Sequence, residues 1–516
     1  MPLHLNTGVL RAATAAAAIA LPLSLVAPAT AAPDERQRTL QSITLPNAKR
    51  HLTAFQAISD ANGGTRASGT PGYAASRDYV AGLLRKAGYN VTVQPFAFPF
   101  FRENSTGVMN QISPDARTYT PTPPDGSVVG DFATMTYSGS GDVTATVQAV
   151  DLVLPPSPAP GSTSGCEAAD FAGFTSGNIA LLQRGTCSFE IKAQNAQAAG
   201  AGGAIIFNEG QPGRTDTLQG TLGNPGLTIP VVGTSFAVGE DLASPAGTVV
   251  RLKTDTESET RTTWNVLAES RHGDPSKVVM AGAHLDSVLP GPGINDNGSG
   301  SAALLETAVH LGKLPVKNKL RFAWWGAEEL GLLGSEHYVG NLSEADRAKV
   351  ALYLNYDMVA SPNFAYMIYD GDDSDATGAP AGPPGSDEIE KTFERYYDAL
   401  KLPHIGTDFS GRSDYGPFIA VGIPSGGLFT GAEGIKTARE AELFGGTAGA
   451  AYDGCYHQAC DTIANIDDRA LKVNLGAIAH SAVTYAFSRD LPGPAVRPAT
   501  SGAARHGDHD HGGLAR

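Results

Sequence analysis

The chain has 516 residues, with 37 Lys and Arg against 52 Asp and Glu, a formal net charge of -15 and a hydrophobic fraction of 41%. At roughly 150 residues per domain this length leads to an expectation of about three domains, and the apolar content excludes a chain disordered throughout. The acidic balance argues against a nucleic-acid or anionic-membrane partner, since too little positive charge is available to displace counterions from phosphates. With only 17% charged residues but 61 Gly and 34 Pro, the composition describes a loop-rich globular protein.

Residues 1–31 carry Arg11, an Ala-rich apolar run and then Ala29-Thr30-Ala31, the small-x-small pattern of a cleavage site. Pro22 interrupts the run, which is shorter than the ~20 residues of a membrane span. A secretory signal peptide is expected here, and after its removal an exported, soluble chain with no membrane attachment. Residues 38–132 open an α/β domain: Thr70-Pro71-Gly72 starts a helical pattern through Tyr79, Leu83 and Leu84, Gly88 stops it, and Val91 and Val93 alternate as in a strand. The texture then changes to Pro, Gly, Ser and Thr with short alternating runs, which marks a β-rich insertion assigned to residues 133–255. Within it, residues 179–182 read as a strand, Arg184-Gly185 as a turn, 189–199 as a helix and 204–207 as a second buried strand.

From 256 to 490 apolar strands alternate with amphipathic helices: strand 278–283, helix 300–314, strand 320–325, helix 332–342, strand 351–356, and helices over 387–400 and 468–487. That alternation predicts a doubly wound, mostly parallel mixed α/β sheet, with ligands gathered at the carboxyl ends of its strands. Residues 491–516, with His506, His509 and His511, are expected to be a solvated tail. The four cysteines fall into two local sets, Cys166 with Cys187 and Cys455 with Cys460, and an even count in an exported chain favours two disulfides. Neither set has the Cys-x-x-Cys spacing of a structural zinc site.

The expected strand ends hold His284 and Asp286 in AHLDS, Asp296 in GINDNGSG, Glu328 and Glu329 in WWGAEELGLLGS, Asp357 in NYDM, and His457 in CYHQAC. Imidazoles and carboxylates together suit a borderline divalent metal such as zinc. Two adjacent acids on an extended backbone point to different sides, so one of Glu328 and Glu329 can ligate while the other faces another part of the site. Two metals sharing one carboxylate need about five protein ligands, and His284, Asp296, Glu329, Asp357 and His457 make such a set. There is no His-Glu-x-x-His, G-x-S-x-G or G-x-x-x-x-G-K-[ST] to support a zincin, serine-hydrolase or P-loop reading. Asn297-Gly-Ser formally matches a glycosylation acceptor, but a glycan there would block the site.

Two resemblances follow. The segment GNIALLQRGTCSFEIKAQNAQAAGAGGAIIFN resembles the protease-associated domain, which implies an accessory module without catalytic residues over about 133–255. The AHLDS, GxNDNGSG, WWGAEELGLLGS, NYDM and CYHxxCD segments resemble the co-catalytic zinc aminopeptidases, the family of secreted bacterial leucine aminopeptidases and aminopeptidase Y. That resemblance implies two Zn2+ per chain, with His284 and Asp357 on one, Glu329 and His457 on the other, and Asp296 bridging. It also implies Glu328 as general base and acid, Tyr456 as donor to the oxyanion, Asp286 as the residue orienting His284, Arg412 as a substrate-positioning group, and a disulfide at Cys455 and Cys460. Met358 and Phe429, with Tyr415, are candidates for a side-chain pocket or for ordinary core. The implied activity is removal of the N-terminal residue from peptides or proteins with a free N-terminus, by a secreted monomer. Two alternatives stay open on the same scaffold: an exopeptidase of carboxypeptidase type, and a receptor-like binding protein that has lost its metal ligands.

Overall fold

The computed structural model describes residues 35–124, 128–376 and 378–493. The expected signal segment lies outside them, as does the expected tail from residue 494 on. Local sequence chemistry sets the element ends. The helix Pro71–Ala87 starts where Thr70 accepts the Tyr73 N–H, has proline in its first turn and Arg85 and Lys86 in its last, and stops at Gly88, whose φ of 102° is left-handed.

A mixed sheet forms the body of the larger domain. Its centre is four mutually parallel strands in the order Ser425–Phe429, Val350–Tyr356, Asp274–His284 and Asn318–Trp325. Val350–Tyr356 is buried along its whole length, as expected of a parallel strand covered on both faces. Neighbouring residues alternate faces. Trp324 joins the main core beneath the helices Leu45–Ala61, Gly300–Leu311 and Asp468–Phe487, whereas Trp325 joins a second core with Tyr338, Tyr353 and Phe418. There the Tyr353 and Phe418 rings stack with centroids 3.9 Å apart. Met367–Tyr369 extends one side antiparallel to Ser425–Phe429, with Ile405–Thr407 parallel beyond it.

On the other side Val249–Glu269 runs antiparallel to Asn318–Trp325 and pairs with Asn90–Ser113 in a long two-stranded ribbon, from Asn90 opposite Glu269 to Ser113 opposite Val249. The far end of the ribbon leaves the larger domain and pairs with Gly141–Ala149. From there the inserted sheet continues through Ile179–Gln183, Gly203–Phe207 and Val231–Thr234, all parallel, to the antiparallel edge Phe132–Thr134. One strand therefore crosses residue 255 without a break. Both expected disulfides are present, Cys166–Cys187 and Cys455–Cys460.

Candidate metal centre

Four connections on the carboxyl side of the parallel strands converge. His284 ends its strand, Glu328 and Glu329 follow Trp325, Asp357 follows Tyr356, and Asp296 lies in the Gly-rich connection before the helix Gly300–Leu311. His457 arrives from far along the chain on the small disulfide loop. Asp296 lies between the imidazoles: its Oδ1 is 3.2 Å from His284 Nε2, and its Oδ2 is 3.1 Å from His457 Nε2. On the His284 side Asp357 Oδ1 stands 3.4 Å from Nε2, and on the His457 side Glu329 Oε2 stands 2.9 Å from Nε2. The geometry thus has two halves around one carboxylate. Glu328 Oε2 lies 3.7 Å from His284 Nε2, so the two glutamates do diverge.

The orientation of His284 comes from an unexpected atom. Its Nδ1 faces the backbone carbonyl of Asp286 at 3.2 Å, while the Asp286 carboxylate is 3.7 Å away and accepts the Glu328 N–H at 3.3 Å. An Nδ1–H donated to that carbonyl leaves the Nε2 lone pair facing Asp296 and Asp357. Ser413, which the sequence does not single out, donates to Asp357 Oδ2 at 2.6 Å and turns Oδ1 toward His284. Arg412 Nη1 pairs with Glu433 at 2.7 Å, and its Nη2 reaches the Tyr456 hydroxyl at 3.3 Å. Met358 is buried beside Asp357, Phe429 is half-buried at its strand end, and Tyr415 is core, its ring packed against Tyr369 and Phe409. Asn297 is fully buried with its amide bonded to Tyr356 O, Gly300 N and Met358 N, so it is no glycan acceptor in the fold.

Backbone strain marks the same place. Ala327, Met358 and His457 have φ of 55°, 46° and 57°, a left-handed conformation that costs a non-glycine residue free energy and gathers at functional sites. Arg66 is a second feature without a signal in the sequence. Its guanidinium is fully buried and bonded to the carbonyls of Leu285, Pro292 and Gly293. Burial pulls it down to about 10, against the opposing pull of Asp286, Asp461, Asp296 and Glu329.

The electrostatics call for cations. Burial disfavours charge on both imidazoles, but the surrounding carboxylates outweigh it: His284 is raised well above its ordinary range by Glu328 and Asp357, and His457 is pushed up to about 11 by Glu329 and Asp296. Burial, and then the charge of Asp296, pushes Glu329 up to about 7. Burial raises Glu328 well above the carboxylate range, with His284 pulling the other way and Asp357 adding to the rise. Asp357 Oδ1 and Glu329 Oε1 are buried with no hydrogen-bond partner, a costly state for anionic oxygens unless a metal takes them. Three carboxylates and two imidazoles with open lone pairs form a donor set that fits zinc. Each of the triads His284–Asp296–Glu329 and His284–Glu328–Asp357 has ligand atoms within 4.8 Å of one another.

Comparison with known proteins agrees with this chemistry. The profile of peptidase family M28 matches residues 265–482, and that of the PA domain matches residues 147–242. The chain is 49% identical over 438 residues to an aminopeptidase of Pseudomonas aeruginosa, covering 84% of this chain and 79% of that one. It is 44% identical to a probable lipoprotein aminopeptidase of Mycobacterium tuberculosis, covering 88% and 87% of the two chains. Among solved structures it is similar to an aminopeptidase from Aneurinibacillus sp. strain AM-1, with a TM-score of 0.58, 27% identity and coverage of 90% and 98%. A zinc aminopeptidase from Bacillus subtilis is similar at a TM-score of 0.54 and 26% identity, covering 86% and 96%. Shared sequence over most of both chains and a shared fold lead to one conclusion: the chain belongs to peptidase family M28, among its zinc aminopeptidases, with a PA domain inserted.

Proposed function

We propose that this chain is an exported aminopeptidase that works with two zinc ions, one held by His284 and Asp357 and one by His457 and Glu329, with Asp296 shared between them. The observation that carries the reading is Asp296, whose two oxygens face two different imidazoles at 3.2 and 3.1 Å. Zinc bound there supplies a Lewis acid that polarises the scissile carbonyl and acidifies the attacking water.

The protein's own groups do the rest. Glu328, whose carboxylate lies 3.7 Å from His284 Nε2, accepts the proton of the attacking water and donates it to the leaving amine. Tyr456 donates its hydroxyl to the oxyanion that develops on the carbonyl oxygen, and Arg412 fixes that hydroxyl by its contact at 3.3 Å. A free α-amine, as the neutral base, would be held at the second zinc and its neighbouring carboxylates, as the amide nitrogen of a blocked N-terminus could not be. Met358 and Phe429 stand at the strand end beside Asp357 and would meet the first side chain.

Two disulfides suit an oxidising compartment outside the cytoplasm. No helix among the described residues is long and apolar enough to cross a membrane, and a monomer suffices because one chain supplies every group named. The test is hydrolysis of a matched pair of peptides, one with a free N-terminus and one N-acetylated. Release of the first residue from the free-amine peptide alone is expected, with loss of that activity in a chelator. Equal cleavage of the acetylated peptide would overturn the assignment.

A further inference from the structure

The placement of Asp296 depends on irregular backbone. Residues 292–296 belong to no strand, and Asp296 itself has φ -101° and ψ 100°, outside helical values. Three successive N–H groups of this segment converge on one residue: Ile294 donates to the Asp461 carbonyl at 3.0 Å, Asn295 to its Oδ1 at 2.8 Å, and Asp296 to its Oδ2 at 2.9 Å. From the opposite side the buried Arg66 guanidinium takes the Pro292 carbonyl through Nε at 2.8 Å and bonds the carbonyls of Leu285 and Gly293. A carboxylate thus holds the segment's donors and a guanidinium its acceptors, both in charge-assisted bonds.

Asp461 directly follows Cys460, so it belongs to the same chain turn that delivers Tyr456 and His457. Asn465 Nδ2 donates to Asp461 Oδ1 at 3.1 Å and to Asp453 Oδ1 at 2.9 Å. Asp453 in turn accepts the Cys455 N–H at 2.8 Å and the Asn295 amide at 2.7 Å. The two loops also touch directly: a Cβ on Gly291 would lie 2.2 Å from the Gln458 carbonyl oxygen.

We infer that Asp461 is a positioning residue for the shared carboxylate. By holding the Asp296 backbone while sitting on the disulfide loop, it sets the spacing between Asp296 and His457, with Arg66 as its counterpart on the far side. This rests on the reading of Asp296 as the ligand common to two zinc ions. Substitution Asp461→Asn keeps the shape but turns one acceptor into a donor, so one backbone N–H of residues 295–296 loses its partner.

The test compares the zinc-loaded full-length wild type with Asp461→Asn for zinc retained against a graded chelator, for kcat and KM on an aminoacyl anilide, and for the thermal midpoint. The wild-type arm reports on the two-zinc reading itself: if it holds no zinc, that reading fails. Given a zinc-bound wild type, the variant is expected to hold zinc about 10–100-fold more weakly, with kcat lowered by a similar factor and KM little changed. Zinc affinity equal to wild type would overturn the inference, also where the midpoint alone has dropped. Should Asp461→Asn fail to fold, Asp461→Glu keeps the charge and both acceptor oxygens but lengthens the side chain by one methylene, which displaces the carboxylate from the Asn295 and Asp296 N–H groups. Weaker zinc retention is expected there too, and unchanged retention overturns the inference.

Discussion

In the proposed mechanism adjacent Glu328 and Glu329 take different roles because a chain leaving a strand turns them to opposite sides, Glu329 to His457 at 2.9 Å and Glu328 toward His284 at 3.7 Å. Glu328→Gln is expected to lower kcat by ~10²–10⁴ while zinc content measured by atomic emission stays at the wild-type level. Loss of zinc from that variant would mean that the two glutamates have exchanged roles. Tyr456→Phe removes one oxyanion donor and is expected to cost ~10²–10³ in kcat with KM little affected, as steady-state kinetics would read directly. Glu328 and Glu329 are legible in the sequence because they sit in a short motif at the end of an apolar strand, and Tyr456 because it lies in the CYHxxCD segment. Arg66 and Ser413 carry no such signal, and Asp461 shows only as the last residue of the CYHxxCD segment, with no role attached to it. Arg66 serves carbonyls more than 200 residues away, as its bond to Leu285 at a separation of 219 illustrates, and an arginine between Gly-Gly-Thr and Ala-Ser-Gly looks like any solvated loop residue.

Elements with strong periodicity were readable, and weakly patterned ones were not. Val350–Tyr356 and Asn318–Trp325 are apolar runs of the length a buried parallel strand needs, and the helix Asp468–Phe487 matches the residues 468–487 expected from its pattern. Met367–Tyr369 and Ile405–Thr407 are only three residues each, too short to carry an alternation, and they form by pairing with a sheet already made. The ribbon Asn90–Ser113 with Val249–Glu269 escaped the sequence because its partner strands are far apart in the chain. The two disulfides belong to this scale and should act differently. Cys166–Cys187 closes a separation of 21 residues and Cys455–Cys460 one of 5, so loop-closure entropy gives about 3 and about 2 kcal/mol respectively. Replacing Cys166 and Cys187 by Ser is expected to destabilise the inserted domain in a denaturant titration and to leave kcat/KM unchanged. Replacing Cys455 and Cys460 is expected to cost less stability but to weaken zinc retention, because His457 and Asp461 ride on that loop. Equal zinc retention in both variants would contradict this division.

The helix Ser386–Ala399 carries a separate pH response. Glu390 is packed near Asp370 and Asp372 and accepts the Gly371 N–H at 2.9 Å; burial first, and then those two carboxylates, push it up to about 7. Folding therefore takes up a proton between about pH 4.5, the unfolded value, and about pH 7. The native state binds more protons in that window, so this group's contribution to stability falls as pH rises through it. Glu390→Gln is expected to flatten that decline in thermal midpoints measured from pH 5 to 8, and an unchanged slope would remove Glu390 as its source.

At the scale of the molecule, the sheet gathers its chemistry where parallel strands end, and the inserted domain is joined to that place by the ribbon. Phe98 and Phe100 on the ribbon pack with Ala327, the residue before Glu328, and with Leu289 beside the Asp296 connection. The insertion is thus mechanically continuous with the catalytic loops although it supplies none of the metal-facing groups. Part of the -15 charge also finds its place, since Asp286, Asp296, Glu328, Glu329, Asp357, Asp414, Asp453 and Asp461 are all in or under the metal centre. The central claim is that Asp296 is shared by two ions, and the direct measurement is zinc back-titration of chelator-stripped enzyme with activity and bound metal followed together. The account predicts saturation at two zinc ions per chain, with Asp296→Asn weakening both. Full activity at a single equivalent, or binding of two ions unaffected by Asp296→Asn, would contradict it.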